Sequence, residues 1–309
     1  MWFAEAPSNI ALIKYMGKHG VNLPCNKSLS YTIDRFTSRV ELEIIDEKDD
    51  RFAPLEMVGH LGLNISEFGV QKFLKHLAYL KLVFGCGYKF LVKSANNFPN
   101  DTGIASSASS FAALTMCAIQ AFCDIQKTDM PSASEMSKLS REGSGSSCRS
   151  FFRPWAVWDN DRAYAIDLPM SNLKHRLALI DSSPKKVSSS AAHAEVRSSL
   201  LFNGRAERAE KRFTDLVKAI EEQDWHKMFV ISWQEFFDMH AMFYTSRSPF
   251  WYMTPETMNI LQKVQQYWDE HKDGPVVTVD AGPNIHFLWR QDQDDMLDDF
   301  FENCEFVLM

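Results

Sequence analysis

The clearest pattern along the chain is a run of small and apolar residues at helical spacing in its middle third. The residues that recur every three or four positions are Ala108, Phe111, Ala112, Thr115, Ala118, Ile119 and Phe122. This spacing predicts a buried helix from about Ser106 to about Asp124. The predicted helix therefore begins at a pair of serines, Ser106 and Ser107.

The segment before this helix, residues 98–108, can hold a phosphate. A helix start has unpaired N–H groups and a partial positive charge, both of which attract anions. Gly103 lets the backbone bend close to a ligand, and the hydroxyls of Ser106 and Ser107 can donate to phosphate oxygens or hold a metal ion. A serine at a helix start is also an ordinary N-cap. The segment alone leaves both interpretations open.

The first part of the chain reads as strands and turns with a few helices. Polar and apolar residues alternate from Asn9 to Tyr15, which predicts a half-buried strand that stops at the glycine turn 17–20. The same reasoning predicts strands at 38–45 and 88–94, a hairpin of 155–158 with 163–167, and helices at 66–79 and 132–142.

The pattern restarts past Pro169, where we expect a domain boundary. The second part predicts strands at 175–181, 276–280 and 285–289, and helices marked by apolar residues in 213–220 and 225–243. Strands and helices do not alternate regularly, so the order favours an α+β architecture over a doubly wound sheet.

Composition and charge exclude some classes of protein. The chain has 309 residues, 45% of them hydrophobic, which is enough for one large or two ordinary domains. Its net charge is −7, and it has no basic stretch of the kind that binds nucleic acid. Acidic residues crowd into 292–299, which we interpret as the solvated face of a final helix.

The cysteines and the N-terminus favour a soluble cytoplasmic protein without a membrane partner. Six scattered cysteines form no C-x-x-C pair, which indicates reduced thiols. The first residues show no basic region followed by an apolar core. We also expect no uncharged apolar run long enough to span a bilayer.

Besides the serine helix, three polar segments are candidates for chemistry. Asn9, Lys14, Tyr15 and Lys18 surround the first glycine turn. The polar segment 143–149, which we expect to be a flexible loop, ends in Arg149, whose planar fork suits a carboxylate or a phosphate. Asp280 ends an apolar strand beside a glycine-proline turn. Solvated lysines, a surface loop and an Asx turn are the structural alternatives.

Other chemistries lack their motifs. The sequence contains no H-E-x-x-H, no Cys/His zinc spacing, no G-x-S-x-G, no Walker lysine motif and no G-x-G-x-x-G. His240 lies on an apolar helix face, which predicts a core histidine.

Taken in order, the polar segments resemble the motifs of the diphosphomevalonate decarboxylase family, a branch of the GHMP kinase superfamily. The matching segments are 6–18, 96–108, 143–149 and 280–284, with weaker matches at 26–30 and 237–241. The resemblance implies an α+β, two-lobed GHMP kinase-like fold. Its N-terminal lobe, 1–172, is of the ribosomal protein S5 domain 2-like type. The implied C-terminal lobe, 173–309, is ferredoxin-like, and the implied active site lies in the cleft between the two lobes. The resemblance also leads us to expect a homodimer.

The resemblance also implies a reaction. ATP, with Mg²⁺, would phosphorylate the tertiary alcohol of mevalonate diphosphate, and loss of phosphate and carbon dioxide would give isopentenyl diphosphate. The implied catalytic residues are Asp280, Arg149, Lys14 and Lys18. The implied substrate-binding residues are Asn9, Tyr15, Lys18, Ser144, Ser146, Arg149 and Ser189. The implied nucleotide-binding residues are Asn97, Gly103, Ile104, Ala105, Ser106, Ser107 and Ala108, with Ser107 as a metal ligand.

Some positions depart from the family pattern. Met16 stands where tryptophan is usual, Asp101 precedes the phosphate loop, and no arginine is found near Ser190 to bind the substrate diphosphate. Either Ser189 with a nearby lysine makes that contact, or the substrate carries a single phosphate. The alternatives are thus a related enzyme acting on mevalonate or its monophosphate, and an inactive ligand-sensing module.

Overall fold

The computed structural model describes residues 1–99, 106–181, 183, 186–302 and 307–308. The described residues form one seven-stranded sheet, one four-stranded sheet and a two-stranded ribbon, packed with helices. In chain order the elements are β1 Trp2–Ile13, β2 Lys18–His19, β3 Leu23–Pro24, β4 Ser28–Ile45, β5 Arg51–Pro54, β6 Leu61–Gly62, α1 Glu67–Phe84, β7 Lys89–Asn96, α2 Ser106–Gln126, α3 Ala133–Gly143, β8 Trp155–Asp159, β9 Arg162–Ala165, β10 Lys174–Leu179, α4 Ser189–Glu195, α5 Arg205–Glu221, α6 Trp225–Tyr244, α7 Pro255–His271, β11 Val276–Val279, β12 Ile285–Trp289, α8 Asp294–Glu302 and β13 Val307–Leu308.

The long strand β4 organises the seven-stranded sheet. β1 runs antiparallel along one edge of β4, with Ala4 opposite Val40 and Ile10 opposite Tyr31. On the other edge, β7 pairs with the second half of β4 and β8 with its first half, both antiparallel. β5 joins β7 in parallel, β6 pairs with β7, and β9 closes the hairpin with β8. The predicted strands and hairpin are therefore confirmed.

The first strand differs from its prediction because both of its faces are buried. Residues Ala6–Ile13 are all buried, so the alternation does not mark a solvent face. Ser8 contacts Ser109 of α2, whereas Ile10 and Leu12 belong to a core that also contains Val279 of β11. The sequence could not show this because the second layer comes from residues more than 200 positions away.

The predicted helix that begins at the two serines is confirmed as α2, with its first residue at Ser106. By length and composition alone it could cross a membrane, so the expectation that no run is long enough was wrong. The most apolar part of α2 is 78% buried, against β1, β4, α1 and α3. Its alanines and cysteines are buried together with Ser109 and Ser110, as expected for a core helix.

The four-stranded sheet has the order β11-β12-β10-β13, and all of its strand pairs are antiparallel. The helices α5, α6 and α7 belong to the same half of the chain as this sheet. Two helices, α4 and α7, were missed by the sequence analysis. The start of α7 does carry a signal, because Thr254 and Thr257 form a capping box with Pro255 at the first helical position. The final helix α8 is confirmed: Leu297, Phe300 and Phe301 are buried, and most of its aspartates are exposed.

Candidate active site

The site is organised around an ion pair between the two halves of the chain. Lys14 directly follows β1 and Asp280 directly follows β11. The Lys14 ammonium donates to Asp280 Oδ1 at 2.5 Å; the lysine side chain is 2% exposed and the aspartate 28%. Burial lowers the pKa of Lys14, and the negative charges of Asp280 and Glu235 oppose that shift. The carboxylate is therefore partly exposed, whereas the cation beside it is buried.

The backbone of the Asp280 turn is held from two directions. The Gly282 N–H donates to the Asp280 carbonyl at 2.8 Å, and His240 Nε2 donates to the same oxygen at 3.1 Å. His240 is fully buried, as predicted, and burial lowers its pKa to about 3, so it is neutral here. The side chain of Asn284 binds the backbone at Ile180 and Asp181. These contacts connect the turn to α6 and to the end of β10.

The segment that carries Arg149 is not the flexible loop we expected. Residues Gly145–Phe151 form a short 3₁₀ helix, and most of this helix is buried. The Ser147 hydroxyl bonds to Ser140 of α3 at 2.6 Å, and a side chain at Gly145 would come within 2.9 Å of Trp158. The polar groups that looked like a solvated loop are satisfied inside the protein.

Arg149 carries a buried charge that no carboxylate neutralises in the described part of the chain. Its Nε donates to Asn9 Oδ1 at 3.1 Å and its Nη1 donates to the Ser28 hydroxyl at 2.8 Å. The guanidinium lies 5.7 Å from the Trp158 ring centre, and the whole residue is 4% exposed. Burial lowers its pKa, and the Asp280 charge opposes that shift. A buried cation held only by neutral acceptors suits an anionic ligand.

The remaining substrate residues predicted in the N-terminal half lie around this arginine. Asn9 Nδ2 donates to the Ser146 carbonyl and to Ser150 Oγ, at 3.3 and 2.8 Å. Ser144 is buried at the C-terminal end of α3. The Tyr15 ring packs against Trp158 at 4.5 Å between ring centres, and its buried hydroxyl has no hydrogen-bond partner among the described residues. Burial raises the pKa of Tyr15.

Lys18 and Ser189 are placed less centrally. Lys18 donates to Asn22 Oδ1 at 3.0 Å, and burial lowers its pKa. Ser189 is exposed at the first turn of α4. No hydrogen bond in the described part of the chain joins it to Arg149 or Asp280.

The predicted nucleotide segment is described only in part. Outside the described residues lie Gly103, Ile104 and Ala105, as well as Asp101, which departs from the family pattern. The start of α2 presents Ser106 half-buried and Ser107 exposed, whereas the Ala108 side chain is buried in the core. Asn97 uses its side chain on the backbone: its Oδ1 accepts from the Thr37 N–H and its Nδ2 donates to the Arg35 carbonyl, both at 2.8 Å.

Lys72 of α1 was missed by the sequence analysis. It is half-buried with its ammonium 5.2 Å from the Phe111 ring centre, and burial and the neighbouring charge of Lys18 lower its pKa. No carboxylate pairs with it in the described part of the chain. In the sequence, Lys72 looks like any lysine on an amphipathic helix, so no local signal marks it.

Two family models cover most of the chain. Residues 6–167 match the diphosphomevalonate decarboxylase-like N-terminal domain, and residues 177–305 match the mevalonate 5-diphosphate decarboxylase C-terminal domain. The chain belongs to the diphosphomevalonate decarboxylase family. The expected family membership is confirmed.

Individual relatives agree with these matches. The diphosphomevalonate decarboxylase of Saccharomyces cerevisiae is 30% identical, with 90% of this chain and 75% of the relative covered. The crystal structure of a mevalonate diphosphate decarboxylase from Legionella pneumophila is 46% identical and covers 100% of this chain and 99% of its own, with a TM-score of 0.94. A structure described as MDDEF in complex with MVAPP, AMPPCP and magnesium is 28% identical, covers 99% and 95%, and has a TM-score of 0.87. The GHMP kinase-like α+β fold is confirmed.

Buried neutral histidines make the protein sensitive to acid. His76, His193 and His240 have pKa values of about 3 because burial disfavours their charged forms. In the unfolded chain these histidines have their ordinary pKa of 6.5, so they bind protons as the pH drops from 7 to 5, whereas in the folded chain they stay neutral. The free energy of unfolding therefore falls over this pH range. We expect about 2 kcal/mol per histidine at pH 5, measured by urea unfolding.

A pair of substitutions tests this assignment. His193→Gln should reduce the loss of unfolding free energy between pH 7 and pH 5 by the contribution of one histidine. His226→Gln, at an exposed position of α6, should leave that loss unchanged. Equal slopes for all three proteins would contradict the assignment.

Proposed function

We propose that this protein catalyses the ATP-dependent decarboxylation of mevalonate diphosphate to isopentenyl diphosphate, with ADP, phosphate and carbon dioxide as the other products. The observation that carries the proposal is the Lys14–Asp280 pair in a chain of this family that also holds a buried, unneutralised arginine. The related structure that contains MVAPP, AMPPCP and magnesium supports the choice of substrates.

Asp280 is proposed to act on the tertiary hydroxyl. A tertiary alcohol is a weak nucleophile, so a carboxylate within hydrogen-bond reach orients it and accepts its proton as the γ-phosphoryl group is transferred. The partly exposed Asp280 can make that contact, and the buried Lys14 ammonium favours its ionised form. Lys14 also fixes the direction of the carboxylate.

Arg149 is proposed to bind the substrate carboxylate. Asn9 and Ser28 hold its guanidinium in place, so two N–H groups can meet a carboxylate without reorganisation. As the C–O bond to the transferred phosphate breaks, positive charge develops on the reacting carbon. The electron pair of the bond to the carboxylate then forms the new double bond, and carbon dioxide leaves. Surrounding anionic groups stabilise the developing charge.

Lys18 and Lys72 are proposed to neutralise the substrate diphosphate. The two ammonium groups are close enough for Lys18 to lower the pKa of Lys72, and Lys72 has no carboxylate partner among the described residues. Two such cations suit a dianionic group better than a single charge. Tyr15, Ser144, Ser146 and Ser189 supply further donors in this proposal.

The start of α2 fits the phosphates of ATP. Its first turn contains no acidic residue, and Ser106 and Ser107 place two hydroxyls beside the N–H groups of a 21-residue helix. No group of three His, Cys, Asp or Glu side chains in the described residues could hold a metal ion. This fits Mg²⁺, which binds mainly through nucleotide phosphates and water, with Ser107 as the proposed protein ligand. When bound, magnesium neutralises phosphate charge.

Three further assignments are part of the proposal. A boundary between residues 172 and 173 is supported by the family matches on either side, 6–167 and 177–305. A cytoplasmic location is supported by the five described cysteines, all of which are free thiols. The homodimer rests on the family resemblance.

A substrate panel tests the function. With ATP and Mg²⁺, the purified protein should release carbon dioxide and phosphate in equal amounts from mevalonate diphosphate, and kcat/KM should be lower for mevalonate and its monophosphate. No release at high enzyme concentration would refute the proposal. A higher kcat/KM for the monophosphate would identify mevalonate monophosphate as the substrate instead.

Asp280→Asn tests the proposed base. The amide can occupy the same space but cannot accept the proton, so kcat should fall by about 10²–10⁴ while substrate affinity by calorimetry changes little. Asp181→Asn is a matched control, because Asp181 likewise follows a strand of the same sheet, and among the described residues its carboxylate bonds only to Ser183. Near-normal turnover of Asp280→Asn would assign the base elsewhere.

Lys72→Met tests the diphosphate contact. Methionine is of similar length but carries no charge, so it also removes the ammonium from the Phe111 ring. KM for mevalonate diphosphate should rise by about tenfold or more, with a smaller rise for mevalonate. Lys75→Met, at an exposed position of the same helix, should leave both values unchanged. An equal rise for the two substrates would contradict a diphosphate contact.

A further inference from the structure

Side chains bind both the N–H and the carbonyl group of Lys14. β1 ends at Ile13, so the Lys14 N–H has no partner in the sheet. Glu235 Oε1 of α6 accepts this N–H at 2.9 Å, and Asn26 Nδ2 donates to the Lys14 carbonyl at 3.0 Å. The direction in which the lysine side chain leaves the backbone is therefore set by the side chains of Glu235 and Asn26.

Accepting one N–H does not by itself require a buried carboxylate such as that of Glu235. Glu235 is 0% exposed, and a buried carboxylate must be paired to be tolerated. Arg205 Nη1 and Arg212 Nη1 donate to its Oε2 at 3.0 and 3.1 Å. Both arginines also donate to Asp238. A neutral amide could accept the Lys14 N–H without this cluster, so the negative charge needs its own explanation.

The charge acts on the Lys14 ammonium. Four groups with charge or titratable protons face it: Asp280 after β11, Glu235 and His240 on α6, and Arg149 on the 3₁₀ helix. Burial lowers the pKa of Lys14; Asp280 and Glu235 raise it, and Arg149 lowers it. His240 is neutral, because burial lowers its pKa to about 3. Glu235 thus helps to keep the lysine protonated beside the buried arginine.

The same helix also holds the other partner of the pair. His240, five residues after Glu235, donates to the Asp280 carbonyl at 3.1 Å. Five residues correspond to a rise of about 7.5 Å along a helix. One rigid element therefore fixes the main chain on both sides of the Lys14–Asp280 contact.

We propose that Glu235 is a positioning residue for the reaction: its buried carboxylate orients Lys14 through the backbone and keeps its ammonium charged, so that the lysine holds Asp280 in its reactive form. This inference rests on the proposed function. Glu235 is fully buried and acts through Lys14.

Glu235→Gln removes the charge and keeps an oxygen that can accept the Lys14 N–H. We expect kcat to fall by about tenfold or more, with KM for mevalonate diphosphate within about threefold of wild type, because Arg149 and Asn9 are untouched. Without Glu235, Lys14 loses its proton more easily. The alkaline limb of the kcat–pH profile should therefore move to lower pH.

Two further variants separate charge from geometry and from stability. Glu235→Asp keeps the charge and the arginine pairs but is one methylene shorter, so kcat should fall while the alkaline limb stays in place. Asp238→Asn is the matched control, because Asp238 pairs with the same arginines without contacting Lys14. It should lower Tm but keep the wild-type kcat and pH profile.

The outcomes are distinct. The inference is overturned when Glu235→Gln keeps the wild-type kcat and alkaline limb, or when Asp238→Asn reproduces its changes. Where Glu235→Gln does not fold, a wild-type kcat for Glu235→Asp overturns the positioning role, and a lowered kcat with an unmoved limb supports it. A wild-type enzyme that does not turn over mevalonate diphosphate refutes the proposed function instead.

Discussion

The ion pair between Lys14 and Asp280 is the contact on which the rest of the site depends. Its two partners follow strands of different sheets, so the pair exists only when both halves of the chain are packed together. Removing one partner of a buried pair leaves an uncompensated charge, typically at a cost of about 3–5 kcal/mol. The shared core, which contains Leu29 and Trp155 as well as Phe236 and Val279, supplies the rigidity that holds the two strand ends in register.

Two cations of the proposed site have no carboxylate paired to them in the described part of the chain, although the whole chain is acidic. The protein carries a net charge of −7, yet Arg149 and Lys72 lie partly or fully buried with no carboxylate paired to them in the described part of the chain. Leaving a cation buried and unpaired costs stability. That cost is recovered when an anion binds. Overall composition does not predict such a ligand, because the net charge does not show which cations are buried.

Strand ends were the most predictable part of the site. Lys14 and Asp280 each follow an apolar run and precede a glycine turn, and a local pattern of that kind identifies both element and position. Arg149 was identified, but its burial was not, because a segment rich in serine and glycine looks solvated until its partners are known. Those partners, Asn9 and Ser28, lie 140 and 121 positions away. Most strands and helices were predicted from periodicity, and α4 and α7 were missed.

Lys72 and Glu235 were missed for a different physical reason. Lys72 lies on a helix where charged residues are ordinary, and Glu235 lies on a mostly apolar helix, where its sequence neighbours do not show what it contacts. Within α6, Glu235 and His240 lie among buried residues that are mostly apolar, and a single hydrogen bond contributes only about 0.5–1.5 kcal/mol net, less than the burial of a carboxylate costs. Stability therefore does not explain both polar residues. Each instead bonds to the main chain of one member of the Lys14–Asp280 pair, so their value lies in the geometry they impose on it.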